Sequence, residues 1–192
     1  MPKPTDAVVL TLPQLPAAGR VCLALYRDVH NAAAIRAELL AGNTTYARYA
    51  FLDPRTVYSV AHVLAAVYRA LTDCTAGSMR TRSVASEIVF AMAPSMNIAD
   101  GLRRFGIKDD NDSLLVITLV QEDEKDQESV VFERLDKIVT GHRVVLSDAS
   151  IAELTNIELL RKNYKFPQGV QITDPTEANN AILGAVALRG YS

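Results

Sequence analysis

Residues Met79–Pro94 read MRTRSVASEIVFAMAP, and how this stretch is read decides how many strands the sheet has. Its apolar centre, Ile88–Met92 (IVFAM), has the length and composition of a buried strand. Ahead of it Arg80 and Arg82 alternate around Thr81, so an extended backbone would turn both guanidinium groups to one side. Such a segment can be a solvated strand entrance tied down by Thr81 and Arg82, a phosphate grip, or a surface built for one partner.

Outward from this run, three more apolar runs read as strands: Val21–Tyr26 (VCLALY), Leu114–Val120 (LLVITLV) and Arg143–Leu146. Helical periods lie between them. Asn31 can cap a helix carrying Ile35, Leu39 and Leu40 that ends at Gly42. Asp53-Pro54 is a helix start, because Asp accepts from free N–H groups and Pro at the first position loses none that matters. In the helix expected over Arg55–Leu71, Ser59, His62 and Arg69 form one polar wedge, and apolar residues fill most of the remaining circumference. A surface helix needs an apolar stripe only a little over ~100° wide. This helix is therefore either buried on two sides by its own domain or shared between that domain and a partner.

Asn97 caps a short helix closed by Gly106, and another carries Val130, Val131, Leu135 and Ile138 after the charged connection Glu122–Glu128. Two more helices are expected near Ile151–Asn163 and Pro175–Leu188, the last with Asp174 as cap. Together these predict an α+β fold with a four-stranded mixed or mostly antiparallel sheet packed with about six helices. Residues 1–20, with Pro4, Pro13 and Pro16, read as an extended lead-in, and residues 21–192 as a single domain.

Composition narrows the function. The chain has 192 residues, 49% hydrophobic and 22% charged, which is enough apolar mass for a core. Twenty basic against 22 acidic side chains give a net charge of −2, whereas an autonomous nucleic-acid binder normally carries a clear basic excess. Cys22 and Cys74 stand outside any metal or redox pattern and read as buried or partly buried thiols of a reducing compartment. No apolar run approaches the ~20 residues of a membrane span. With no leader pattern at the N-terminus, the expectation is a protein of the nucleus and cytoplasm.

Few residues point to chemistry. No nucleophile elbow, phosphate loop or dinucleotide fingerprint occurs. His30, His62 and His142 lack partners at metal-ligand spacing. Asp109–Asp112 fails as a calcium loop, because its sixth and twelfth positions are Leu114 and Val120. No catalytic residue, metal or cofactor is expected. What remains are basic clusters: Arg80 with Arg82, Arg103 and Arg104 with Lys108, and Arg161, Lys162 and Lys165 beside Tyr164 and Phe166.

The segment MRTRSVASEIVFAMAPSMNIADGLRRFGIKDD (Met79–Asp110) resembles the hallmark of the PRPK-binding protein family, the kinase-binding subunit of the EKC/KEOPS complex. VCLALYRDVHNAAAIR (Val21–Arg36), Phe51–Pro54 and the closing Ala185–Gly190 are similar to the same family, the last in a fungal manner. One departure is Ser78, where relatives often carry a lysine, leaving this edge less basic.

The resemblance implies a non-catalytic subunit that docks on a small atypical kinase/ATPase subunit and promotes its activity. The complex it implies installs threonylcarbamoyl-adenosine next to the tRNA anticodon, and fungal members are also linked to telomere maintenance and transcription. On this reading Met79, Val84, Ile182, Val186, Val63 and Val67 supply kinase contacts, and Arg80, Arg82, Arg103 and Arg104 are candidate tRNA contacts. The remaining subunits are indirect partners, tRNA is bound with partners, and no membrane is involved. The alternative is an autonomous tRNA-binding module.

Overall fold

The computed structural model describes residues 7–12, 19–120, 128–166 and 175–190. Within it the chain forms two compact units: residues up to Asp53 with Ile107–Leu146, and Pro54–Gly106 with Ser147 onward.

The first unit is built on strands β1 (Ala7–Thr11), β2 (Arg20–Arg27), β3 (Ala50–Leu52), β4 (Ser113–Val120) and β5 (His142–Val144), with helices α1 (Ala32–Leu40), α2 (Thr44–Ala47) and α6 (Glu128–Ile138). Every pairing is antiparallel. β4 runs along the full length of β2, from Arg20 opposite Val120 to Arg27 opposite Ser113. β1 and β5 divide the opposite edge of β2, β1 taking Arg20–Ala24 and β5 taking Leu25–Arg27. β3 pairs with the outer edge of β4.

Leu23, Leu25, Leu115 and Ile117 are as completely enclosed as Cys22, Ala24, Leu114 and Val116 on the alternate face. Burial on both faces is why β2 and β4 read as unbroken apolar runs instead of alternating ones. One face packs on Ile35 of α1 and on Val131, Phe132 and Leu135 of α6. Tyr26 reaches from that face to donate its hydroxyl to Asp136 at 2.7 Å. Burial, then that bond, pushes the phenol's pKa up.

The second unit is helical among its described residues: a 3-10 turn (Pro54–Thr56), α3 (Val60–Thr75), α4 (Val84–Ala91), α5 (Ile98–Phe105), α7 (Asp148–Ala152), α8 (Ile157–Tyr164) and α9 (Pro175–Ala187). α3 packs against both α4 and α9, and α4 against α5.

Among the described residues the sheet is therefore five-stranded and antiparallel, where four strands were expected. Two short edge strands join it: β1, within the stretch expected to be a lead-in, and the three-residue β3. Ile88–Met92 leaves it. That run belongs to α4, whose N-cap Ser83 accepts from the N–H of Ser86 at 3.1 Å. Ala85 and Glu87–Ala91 are all buried, so α4 shows no polar face. A short helix enclosed all round cannot be told from a buried strand by periodicity.

Smaller expectations shift as well. Asp53-Pro54 starts a 3-10 turn, and α3 begins later, capped by Ser59, whose hydroxyl accepts from the N–H of His62 at 3.0 Å. Asn31 flanks α1 without capping it. Its amide donates to the carbonyl of Ile138 (2.8 Å) and its side-chain oxygen accepts from the N–H of Thr140 (2.9 Å), tying α1 to the end of α6. Gly42 does end its helix with a left-handed φ of 76°. The Asp174 cap, Pro4, Pro13, Pro16 and most of the Glu122–Glu128 connection lie outside the described residues.

Candidate functional site

The Met-Arg-Thr-Arg segment is organised by one carboxylate. Glu87, on the buried side of α4, is 1% exposed. Its Oε2 accepts from the backbone N–H of Arg80 (3.1 Å), the N–H of Thr81 (2.8 Å) and the Thr81 hydroxyl (2.7 Å). Bonds to an ionised acceptor are among the strongest a loop can make. The chain bends over Thr81–Ser83 instead of running extended. Thr81 is drawn toward Glu87, and the side chains of Arg80 and Arg82 stay exposed.

α3 and α9 run in the same direction. Ser59, ahead of α3, donates its hydroxyl to Asn179 near the start of α9 at 2.7 Å. Ten residues on, Arg69 donates to the carbonyls of Ala187 (3.2 Å) and Arg189 (3.1 Å) at the far end of α9. Asp73 orients Arg69 through Nε at 3.0 Å.

The polar wedge of α3 is thus a seam turned inward. His62 is fully enclosed. Its Nδ1 accepts from the N–H of Tyr58 (3.2 Å), which leaves the proton on Nε2 to donate to the Tyr164 hydroxyl (2.6 Å). Tyr164 in turn donates to the carbonyl of Met92 at 2.6 Å. Burial pushes the His62 pKa down to about 3 and the Tyr164 pKa up. With both ring nitrogens committed, His62 is neutral and has no free lone pair for base chemistry. Among the described residues, no group of three His, Cys, Asp or Glu side chains is placed to hold a metal ion. No described helix is long and apolar enough to cross a membrane.

The apolar contact residues expected from the sequence separate into two groups. Val63, Val67, Ile182 and Val186 are each 0–1% exposed. They lie on helices that pack on each other, so they support the α3–α9 pair from within and cannot touch a rigidly docked partner. Met79 and Val84 are half-buried at the loop and at the start of α4. Of the basic residues, Arg104 forms an ion pair with Asp100 at 2.7 Å, and Arg103 pairs with the same carboxylate. The hydrogen bond from Arg104 does most to hold the Asp100 pKa below the usual carboxylate range.

Surface apolar residues missing from that set lie on the same two helices. Ala61, Tyr68 and Thr72 of α3 are exposed and Leu64 and Ala65 half-buried, giving a charge-free stripe at helical spacing. Tyr68 is 44% exposed. On α9 and its last turn, Ala181 and Leu188 are exposed and Gly184 half-buried. A Cβ added at Gly184 would meet nothing within 4 Å, and Leu188 is 64% exposed. The signal for these stripes was present as a lack of charge at positions 61, 65, 68 and 72. It was hidden because Ser59, His62 and Arg69 looked like the solvent face.

The family model described as kinase binding protein CGI-121 matches residues 26–190. The chain belongs to this family. Among its relatives, the "EKC/KEOPS complex subunit cgi121" of Aspergillus fumigatus is 38% identical over 182 residues, covering 94% of this chain and 95% of that protein. The subunit of the same name from Yarrowia lipolytica is 39% identical, covering 90% and 95%. That from Schizosaccharomyces pombe is 36% identical, covering 88% and 92%.

Proposed function

We propose that this chain is the kinase-binding subunit of an EKC/KEOPS complex, docking on a small atypical kinase/ATPase subunit without itself carrying the active site. In this role it supports threonylcarbamoyl-adenosine modification of tRNA beside the anticodon, in the nucleus and cytoplasm, with the further links to telomere maintenance and transcription that the family resemblance carries. The observation that supports docking is the pair of charge-free stripes on α3 and α9. Tyr68 directly precedes Arg69, and Leu188 lies between the two carbonyls that Arg69 holds. Exposed apolar surface rimmed by polar residues marks a contact site for another protein. Each well-buried anchor contributes about 1.5–3 kcal/mol of transfer free energy before association costs are subtracted.

The buried Val63, Val67, Ile182 and Val186 act in this reading as the support beneath the surface, and Met79 and Val84 as its neighbours at the loop. Tyr68→Asp places a charge in the contact at an exposed position. It is expected to abolish co-purification with the kinase subunit while leaving the fold intact. A folded Tyr68→Asp protein that binds as the wild type does would overturn the assignment.

Arg80 and Arg82 favour a tRNA contact made within the assembly, since they project from a loop whose backbone Glu87 holds. The net charge of −2 argues against strong binding by the chain alone. Tight, salt-sensitive tRNA binding by the isolated chain would favour an autonomous RNA module instead.

A further inference from the structure

We propose that Arg189 is a positioning residue for partner docking: its buried guanidinium locks the turn after α9 onto α3 and α4, and so fixes the direction of Leu188. The inference rests on the docking surface proposed above and adds to it the group that holds that surface in shape.

Arg189 is 2% exposed, an unusual place for an arginine near the end of a helix that carries an exposed leucine beside it. One nitrogen donates to the carbonyl of Phe90 in α4. The guanidinium carbon lies 4.0 Å from the centre of the Phe90 ring, within range of a cation–π contact. Another nitrogen is 3.9 Å from Asp73 Oδ2. The Arg189 carbonyl accepts from Arg69, and Arg69 is held by Asp73 at 3.0 Å. Asp73, Arg69, the Arg189 backbone and the Arg189 side chain therefore close a ring. After it the chain turns at Gly190 with a left-handed φ of 86°.

The ring reaches beyond α9. Burial, and then the neighbouring Arg69, push the Arg189 pKa down, while Glu87 and Asp73 favour its charged form. Glu87 is the carboxylate that holds the loop at Arg80 and Thr81. Arg189 is bonded to Phe90 of α4, and Glu87 of the same helix holds the loop, so the C-terminal turn and the Met-Arg-Thr-Arg loop are both anchored on α4. An uncompensated buried charge is costly, so the ring favours a single arrangement of the turn. A partner meeting Leu188 in a fixed direction avoids the entropy of ordering it.

The test measures two quantities: calorimetric affinity for the kinase/ATPase subunit and amide hydrogen exchange along α9. Arg189→Met keeps an apolar stem and removes the charge and the fork. It is expected to weaken binding by about tenfold or more, and to speed exchange in α9 and the 79–83 loop while α5 is unchanged. Arg189→Lys restores charge without the planar fork and is expected to recover part of the affinity. Leu188→Asp tests the surface itself and is expected to abolish binding. Weak binding by Leu188→Asp with wild-type affinity in Arg189→Met overturns the positioning role and leaves the surface standing. Wild-type affinity in both overturns the docking reading, and the inference falls with it. Should Arg189→Met not fold, Asp73→Asn opens the same ring from its partly exposed side and is judged by the same outcomes.

Discussion

Nε2 of His62 lies 2.6 Å from the Tyr164 hydroxyl, and that hydroxyl lies 2.6 Å from the carbonyl of Met92. Three elements distant in sequence therefore meet in one hydrogen-bonded relay, and the imidazole is neutral because its Nδ1 accepts from the N–H of Tyr58. The unfolded chain takes up this proton near the ordinary histidine value of about 6.5, and the folded chain only near 3. Between those values the unfolded state binds more protons, so stability falls as pH falls through that window. Its slope from this one group is at most about 1.4 kcal/mol per pH unit. Urea unfolding from pH 7 to pH 4 measures it. His62→Gln is expected to flatten the slope by one proton, and an unchanged slope contradicts the assignment.

Tyr164→Phe removes the middle of the same relay and leaves a buried N–H and a buried carbonyl without their partner. The expected cost is about 1–3 kcal/mol. Urea midpoints at neutral pH read this directly. A cost near zero means that the relay contributes nothing.

Glu87→Ala strips three donors of their acceptor at once, two of them backbone groups of the 79–83 loop. Stability is expected to drop by about 2 kcal/mol or more, and the Arg80 and Thr81 amides to exchange faster. Glu87→Gln retains an acceptor oxygen and is expected to show a smaller drop. Unchanged exchange at both amides in Glu87→Ala would mean that something else holds the loop.

Two helical glycines predict opposite signs. A Cβ at Gly101 would lie 3.1 Å from both Ala93 Cβ and Phe90 Cδ2, so Gly101→Ala overpacks the α4–α5 contact. A loss of about 1–3 kcal/mol is expected. Gly184 has open space around it, and Gly184→Ala is expected to gain about 0.5–1 kcal/mol from helix propensity. Thermal unfolding of the two variants checks the pair.

What could be read without coordinates follows from which groups are buried. β2 and β4 announce themselves, because long runs enclosed on both faces are apolar throughout. α5 and α6 show an ordinary one-sided period. α4 is misread as a strand, since enclosure on every side erases its period, and β3 is too short to carry a pattern. α3 is the most instructive. His62 and Arg69 are polar but turned inward, where Tyr164, Asp73 and backbone carbonyls satisfy them. Residue type alone cannot reveal a polar group whose partners lie about a hundred residues away. The Arg189 ring is hidden for the same reason. The Glu87 tie spans only six or seven residues, and it is hidden because the run that follows Glu87 reads as a strand, although Thr81 already reads as a possible anchor of its segment.

The measurement that bears most directly on the docking surface is hydroxyl-radical footprinting of the chain alone and in complex with the kinase/ATPase subunit. Tyr68 and Leu188 are exposed and oxidisable, and so are Leu40 at 75% and Val145 at 56% exposure in the other unit. Complex formation is predicted to protect Tyr68 and Leu188 and to leave Leu40 and Val145 as reactive as before. Protection of Leu40 or Val145, with Tyr68 and Leu188 still oxidised, would contradict it.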